Sequence, residues 1–167
     1  MDNETVDMMR DSGASGASLL SKSNPVFCCY LVWSTVLIIK MLLMTLLTAR
    51  QRFKTKAVAN PEDMRMTRAD EVRFNDANVE RVRRAHRNDL ENILPFLLLT
   101  LAYVSCGPHP LAAKLLIRIG ASARLLHTLV YAVFPMPQPT RAISFFITFS
   151  IMIYEAVYVL LCSVKYI

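Results

Sequence analysis

Val79-Glu80-Arg81-Val82-Arg83-Arg84-Ala85-His86-Arg87-Asn88-Asp89-Leu90-Glu91-Asn92-Ile93-Leu94-Pro95-Phe96 is the stretch on which the fold turns. It begins dense in charge and ends apolar, and the apolar run continues to Val104. From Leu90 to Val104 it is too short to cross ~30 Å of hydrocarbon, which takes roughly 20 helical residues. A spanning helix must therefore reach back through the charges to about Val79. Helical spacing sets Arg84, Arg87, Asn88 and Glu91 at i, i+3, i+4 and i+7, one polar stripe running towards membrane depth, with Arg83 and His86 on another face. Such a helix needs neighbours or water over both faces, which favours several subunits with polar clefts between them.

Outward from this stretch, three more segments are long and apolar enough to span: 26–49, 111–133 and 142–162. Backbone groups cannot stay unpaired in lipid, so each is a helix. The fold class is an all-α integral membrane protein, a four-transmembrane-helix bundle with spans 26–49, 79–105, 111–133 and 142–162 in one domain, 24–167. Residues 1–23 are polar, include the small-residue run Ser12 to Ser18 and show no period, which predicts a disordered tail. With no early basic region ahead of a short apolar core, a cleavable signal peptide is not expected, and the first span reads as an uncleaved anchor.

A hydrophobic content of 54% and a mean hydropathy of +0.35 fit this class. The net charge of +6 lies mostly in one central segment, without a nucleic-acid reading motif, so no nucleic-acid partner is expected. Cys28, Cys29, Cys106 and Cys162 sit in or beside apolar runs and read as reduced, packed side chains, and no metal-ligand spacing occurs. Arg50, Arg52, Lys54, Lys56, Arg65, Arg68 and Arg73 lie between the first two spans, whereas the turn 106–110 carries no Lys or Arg. The positive-inside rule then makes the large loop cytosolic and both termini luminal, with the loop 134–141 on the cytosolic side. Pro135, Pro137 and Pro139 stiffen that loop.

Arg124, His127 and Tyr131, at i, i+3 and i+7, share one inward face of the third span; His127 fits a packed, carbonyl-bonded histidine as well as a site group. Lys40 and Glu155 are intramembrane charges that each need a partner; Asp89 or Glu91 is expected for Lys40, and none stands out for Glu155. Arg81, Arg83 and Arg84 could all snorkel to lipid phosphates, but phosphates would not recruit Asn88 and Glu91 deeper in the span. The arginines suit carboxylates and Glu91 an ammonium. Glutathione has this form, and its thiol, with a pKa of about 8.5, becomes a better nucleophile where a nearby cation favours the thiolate. Arg141, at the start of the fourth span, is the candidate cation.

The segments Ala59-Asn60-Pro61-Glu62-Asp63, Val79 to Phe96, Ala121 to Tyr131 and Pro137-Gln138-Pro139-Thr140-Arg141-Ala142-Ile143-Ser144-Phe145-Phe146 resemble the microsomal glutathione transferase 1 branch of the MAPEG membrane family, arthropod members above all. The resemblance runs from about Asn24 to the C-terminus. It implies a homotrimer in endoplasmic reticulum and outer mitochondrial membranes, with sites between subunits facing the cytosol. It also implies transfer of glutathione, as co-substrate, to hydrophobic electrophiles, and a peroxidase activity on lipid hydroperoxides. By matching position it gives Arg52, Arg83, Arg84, His86, Glu91 and Tyr131 as glutathione-binding, with Arg87 and Asn88 nearby, and Arg141 as the catalytic thiolate anchor; Arg124 and His127 are support candidates from their shared inward face alone. The alternatives are an eicosanoid synthase such as a prostaglandin E synthase, and a non-enzymatic channel or scaffold. The synthase pattern has serine where Ala142 stands, which argues against prostaglandin isomerisation.

Mammalian enzymes of the branch carry an activating cysteine after Asn-Pro-Glu-Asp, where this chain has Met64. Treatment with N-ethylmaleimide is accordingly expected to leave conjugation rates unchanged, and a several-fold rise would show that another thiol has taken over that role.

Overall fold

Asn24 and Asp76 start the first two long helices of the computed structural model, which describes residues 19–167. The Asn24 side chain accepts from the Val26 amide at 2.9 Å, and Pro25 occupies the first turn, opening α1, Pro25–Thr55. The Asp76 carboxylate accepts from the amides of Asn78 and Val79, opening α2, Ala77–Ser105. Pro110 opens α3, Pro110–Thr128, and α4 is Thr140–Val164. α1 runs to Thr55, about six residues beyond the span expected from hydropathy, because its basic last turn continues the helix outside any apolar run, and Lys56 caps it in a left-handed conformation.

α3 does not end as an α-helix. Residues Leu129–Val133 open into a π-helical turn, in which the Phe134 amide donates to the Leu129 carbonyl at 2.7 Å and the Met136 amide to that of Val130 at 3.0 Å. The proline-rich segment that follows contains a cis Gln138–Pro139 peptide. Between α1 and α2, Pro61–Asp63 and Met64–Thr67 form two short turns, and a bridge between Val58 and Val72 closes the loop on itself. The expected tail lies outside the described residues as far as residue 18. Its last five residues, 19–23, are described, and there the Asn24 amide group donates to the Leu19 carbonyl at 2.6 Å.

The long helices pack as a ring in the order α1, α2, α4, α3, so that α1 lies across from α4. Three apolar layers fill it. Val26, Tyr103 and Ile117 occupy the end near the 106–110 turn, Leu37, Phe96 and Ile151 the middle, and Met44, Val82 and Ala132 the end near the arginine-rich loop. Large apolar side chains such as Leu42, Leu46, Leu98 and Leu160 point outward. α1, α3 with its π turn, and α4 are long and apolar enough to cross a membrane. α2 falls short of that composition because its first half is charged.

α2 and α3 approach closely at Gly120. A Cβ there would stand 2.8 Å from the ring of the buried Phe96, and the Gly120 carbonyl accepts from the Thr148 hydroxyl of α4 at 3.1 Å. Gly120→Ala is expected to destabilise the protein by about 1–3 kcal/mol through overpacking, read as a lowered thermal midpoint in detergent.

Candidate active site

Asp89 is fully buried, and three helices meet on its carboxylate. The Lys40 ammonium of α1 lies 2.6 Å from Oδ1, and the Arg124 Nη2 of α3 lies 2.9 Å from the same oxygen. The Thr128 hydroxyl donates to Oδ2 at 3.3 Å. Arg124, itself fully buried, also donates to the Asn88 side-chain oxygen at 2.8 Å and the Asn88 carbonyl at 3.3 Å. The structure thus gives Lys40 the first of its two expected partners. It also shows Asn88, expected beside a ligand, holding Arg124 within the protomer. Two cations on one carboxylate leave a net positive charge inside the ring. Glu155, without an expected partner, accepts from the Thr100 hydroxyl at 2.9 Å.

With Val82, Ala85, Asp89 and Ile93 turned inward, the next residues of α2 face a groove shared with α1. Arg52, Arg83, His86 and Arg87 line it together with Thr45, Thr48 and Leu90, around a volume of about 480 Å³. Arg87 therefore sides with Arg83 and His86. Arg84 and Glu91, expected on a stripe with it, are exposed and do not line this groove. Arg83 pairs with Glu80 one turn back at 2.6 Å.

On the other side of the ring, α3 and α4 border a smaller hollow of about 260 Å³, lined by His127, Tyr131, Gln138, Arg141, Ala142, Phe145 and Phe146. The Arg141 guanidinium lies 4.8 Å from the Tyr131 ring centroid, and the His127 ring meets the same tyrosine edge-on at 5.6 Å. A guanidinium stacked on an aromatic face keeps its N–H fork free for an anion. Arg141 Nε and His127 Nδ1 have no hydrogen-bond partner among the described residues. Arg81 lines a second hollow of about 270 Å³ on the other side of Arg141, with Tyr131 and Pro137. Nothing in local spacing favours this placement of Arg81 over lipid snorkelling, since it depends on where the proline-rich loop lies. One protomer brings Tyr131, His127 and Arg141 together, and Arg52, Arg83, His86 and Arg87 together. It does not join the two sets, because the α1/α2 and α3/α4 grooves lie on opposite sides of the ring.

The MAPEG family model matches residues 30–161, from the first third of α1 nearly to the end of α4. The chain belongs to the MAPEG family. It is 43% identical over 132 residues to microsomal glutathione S-transferase 1 of Homo sapiens, covering 77% of this chain and 84% of the human protein. The Rattus norvegicus protein of the same name is 40% identical with the same coverage. Prostaglandin E synthase of Equus caballus is 38% identical over 128 residues, 77% of this chain and 83% of that protein. Both grooves of this MAPEG chain fall inside the matched region.

Removing the shared carboxylate leaves two buried cations without a counter-ion. Asp89→Asn is expected to cost about 3–5 kcal/mol, seen as a lower thermal midpoint, and Lys40→Met added to it should recover part of the loss. A midpoint unchanged in Asp89→Asn would show that water reaches the cluster.

Proposed function

We propose that this MAPEG chain is a membrane-bound glutathione transferase that joins glutathione to hydrophobic electrophiles and, with the same thiolate, reduces lipid hydroperoxides. The observation that carries the reading is the placement of Arg141, stacked on Tyr131 with its Nε unpartnered, in a hollow walled by Phe145 and Phe146. A cation beside an apolar wall suits a sulfur anion meeting an apolar partner. The identity with microsomal glutathione S-transferase 1 supports the same assignment.

The chain acts as four transmembrane helices, with α2 spanning because neighbours cover its charged half. It assembles as a homotrimer in the endoplasmic reticulum and outer mitochondrial membranes, with the site facing the cytosol. Two grooves on opposite sides of a protomer suit this, because a closed ring of copies can set the α1/α2 groove of one against the α3/α4 groove of the next. Arg52, Arg83 and Arg87 take the glutathione carboxylates, with His86 beside them; Arg84 and Glu91, exposed outside that groove in one protomer, reach the ligand where a neighbouring copy closes over it, and there Glu91 takes the ammonium. The thiol loses its proton next to Arg141, because the guanidinium stabilises the thiolate. The net positive charge of the Lys40–Asp89–Arg124 cluster favours an anion in the same region.

Sulfur then attacks the electrophilic carbon, forming a C–S bond as the leaving group departs. With a hydroperoxide, sulfur attacks the terminal oxygen, the O–O bond breaks, and the alkoxide leaves as the alcohol once protonated. A second glutathione reduces the resulting sulfenic acid, giving water and glutathione disulfide.

In detergent-purified protein, added glutathione is expected to raise the ultraviolet absorbance of the thiolate and to yield conjugate with an aryl halide. Arg141→Ala is expected to bind glutathione while losing the thiolate signal, with conjugation down by about two orders of magnitude if the guanidinium acts as one preorganised electrostatic donor. Turnover of prostaglandin H2 without aryl-halide conjugation would favour the synthase reading instead.

A further inference from the structure

At the end of the molecule away from these grooves, α2 and α4 run parallel and in register. The Thr100 hydroxyl donates to Glu155 at 2.9 Å, and the rings of Tyr103 and Tyr158 meet edge-to-face at 4.9 Å. Each pair joins a residue of α2 to the one 55 positions later in α4. One turn further on, Cys106 caps α2, and Cys162 follows Tyr158 by four residues on the same face in the last turns of α4. The two thiols are neighbours, and both are half-buried and free. Burial and the neighbouring Cys162 thiol push the Cys106 thiol above its ordinary pKa, while the Lys165 ammonium works in the opposite direction. Cys28, by contrast, donates to the Lys22 carbonyl at 3.1 Å within its own helix end.

We propose that Cys106 and Cys162 form a reversible disulfide that staples α2 to α4 at the end opposite the candidate active site. The oxidant is a small or protein disulfide, with glutathione disulfide as the simplest case. The thiolate of one cysteine attacks a sulfur of glutathione disulfide, giving a mixed disulfide and releasing one glutathione. The second cysteine displaces the other glutathione, so that two protein thiols lose their hydrogens and one glutathione disulfide becomes two glutathione molecules. Two proximal thiols favour this second step because it is intramolecular. Where this end faces the lumen, as proposed above, the compartment favours the closed form. The chemistry itself does not depend on the transferase reading. The staple joins the two helices whose far ends carry Arg83 and Arg141, so its redox state bears on how far those ends can separate.

The test uses the full chain in lipid nanodiscs, incubated with excess glutathione disulfide, blocked with N-ethylmaleimide, digested and read by mass spectrometry without reductant. A peptide joining Cys106 to Cys162, short by the mass of two hydrogens and released by dithiothreitol, is the expected result. In Cys106→Ser that peptide disappears and Cys162 carries maleimide or glutathione. Separate glutathione adducts on the two cysteines, maleimide on both, or a link running through Cys28 or Cys29 instead would overturn the proposal. The readout is a mass, so loss of conjugation activity cannot imitate either outcome.

Discussion

One carboxylate, closed off from solvent, fixes how three of the four helices stand against each other. Asp89 receives the ammonium of α1 and the guanidinium of α3 on the same oxygen. Charges in an apolar interior are strongly disfavoured unless opposed, so this contact sets the depth of α1 and the rotation of α3 relative to α2. It also sets what faces outward. With Asp89 turned in, Arg83 and Arg87 of α2 are left on the groove side, and with Arg124 drawn onto Asp89, His127 is carried towards the hollow where Arg141 lies. The polar residues that could meet a ligand and the polar residues that hold the fold are neighbours on the same two helices, separated by a fraction of a turn.

That closeness decides what could be read from the sequence. Four long helices were legible from apolar length, and so was the need of Lys40 for an acidic partner, since an intramembrane ammonium permits few arrangements. Asn88 was harder. Its place on a polar stripe suggested a ligand, yet in the structure Arg124 engages it, and nothing in local spacing separates a residue serving a neighbour from one serving a substrate. Arg87 fell to the other groove for a similar reason, because a stripe drawn at i, i+3 and i+4 is wider than the cleft that divides it. The pairings of Glu155 with Thr100 and of Tyr103 with Tyr158 depend on the register of α2 against α4. That register comes from packing between neighbouring helices and has no sequence signature.

The charged half of α2 illustrates the same tension between span and site. By composition it does not resemble a membrane helix, and its apolar half alone is short. It takes its place because α1 and α4 cover its inner face and because its caps hold its ends, leaving the outer arginines in grooves. A helix of this kind is costly as an isolated segment and stable as a shared wall, so the features that make it useful for binding an anion also tie it to its neighbours.

The π turn at the end of α3 resolves a problem of phase. An α-helix advances about 100° per residue, so a face that points into the ring at Arg124 and His127 would keep pointing inward at the next turn. Opening the turn at Leu129–Val133 adds a residue to the count and lets the chain slip in phase just before the prolines end it. Upstream of the slip, α3 serves the protein's own charge cluster; within it, Tyr131 presents a flat ring to Arg141. A single local change in helical pitch thereby divides one continuous helix into a part that carries structural load and a part that holds an arginine in place.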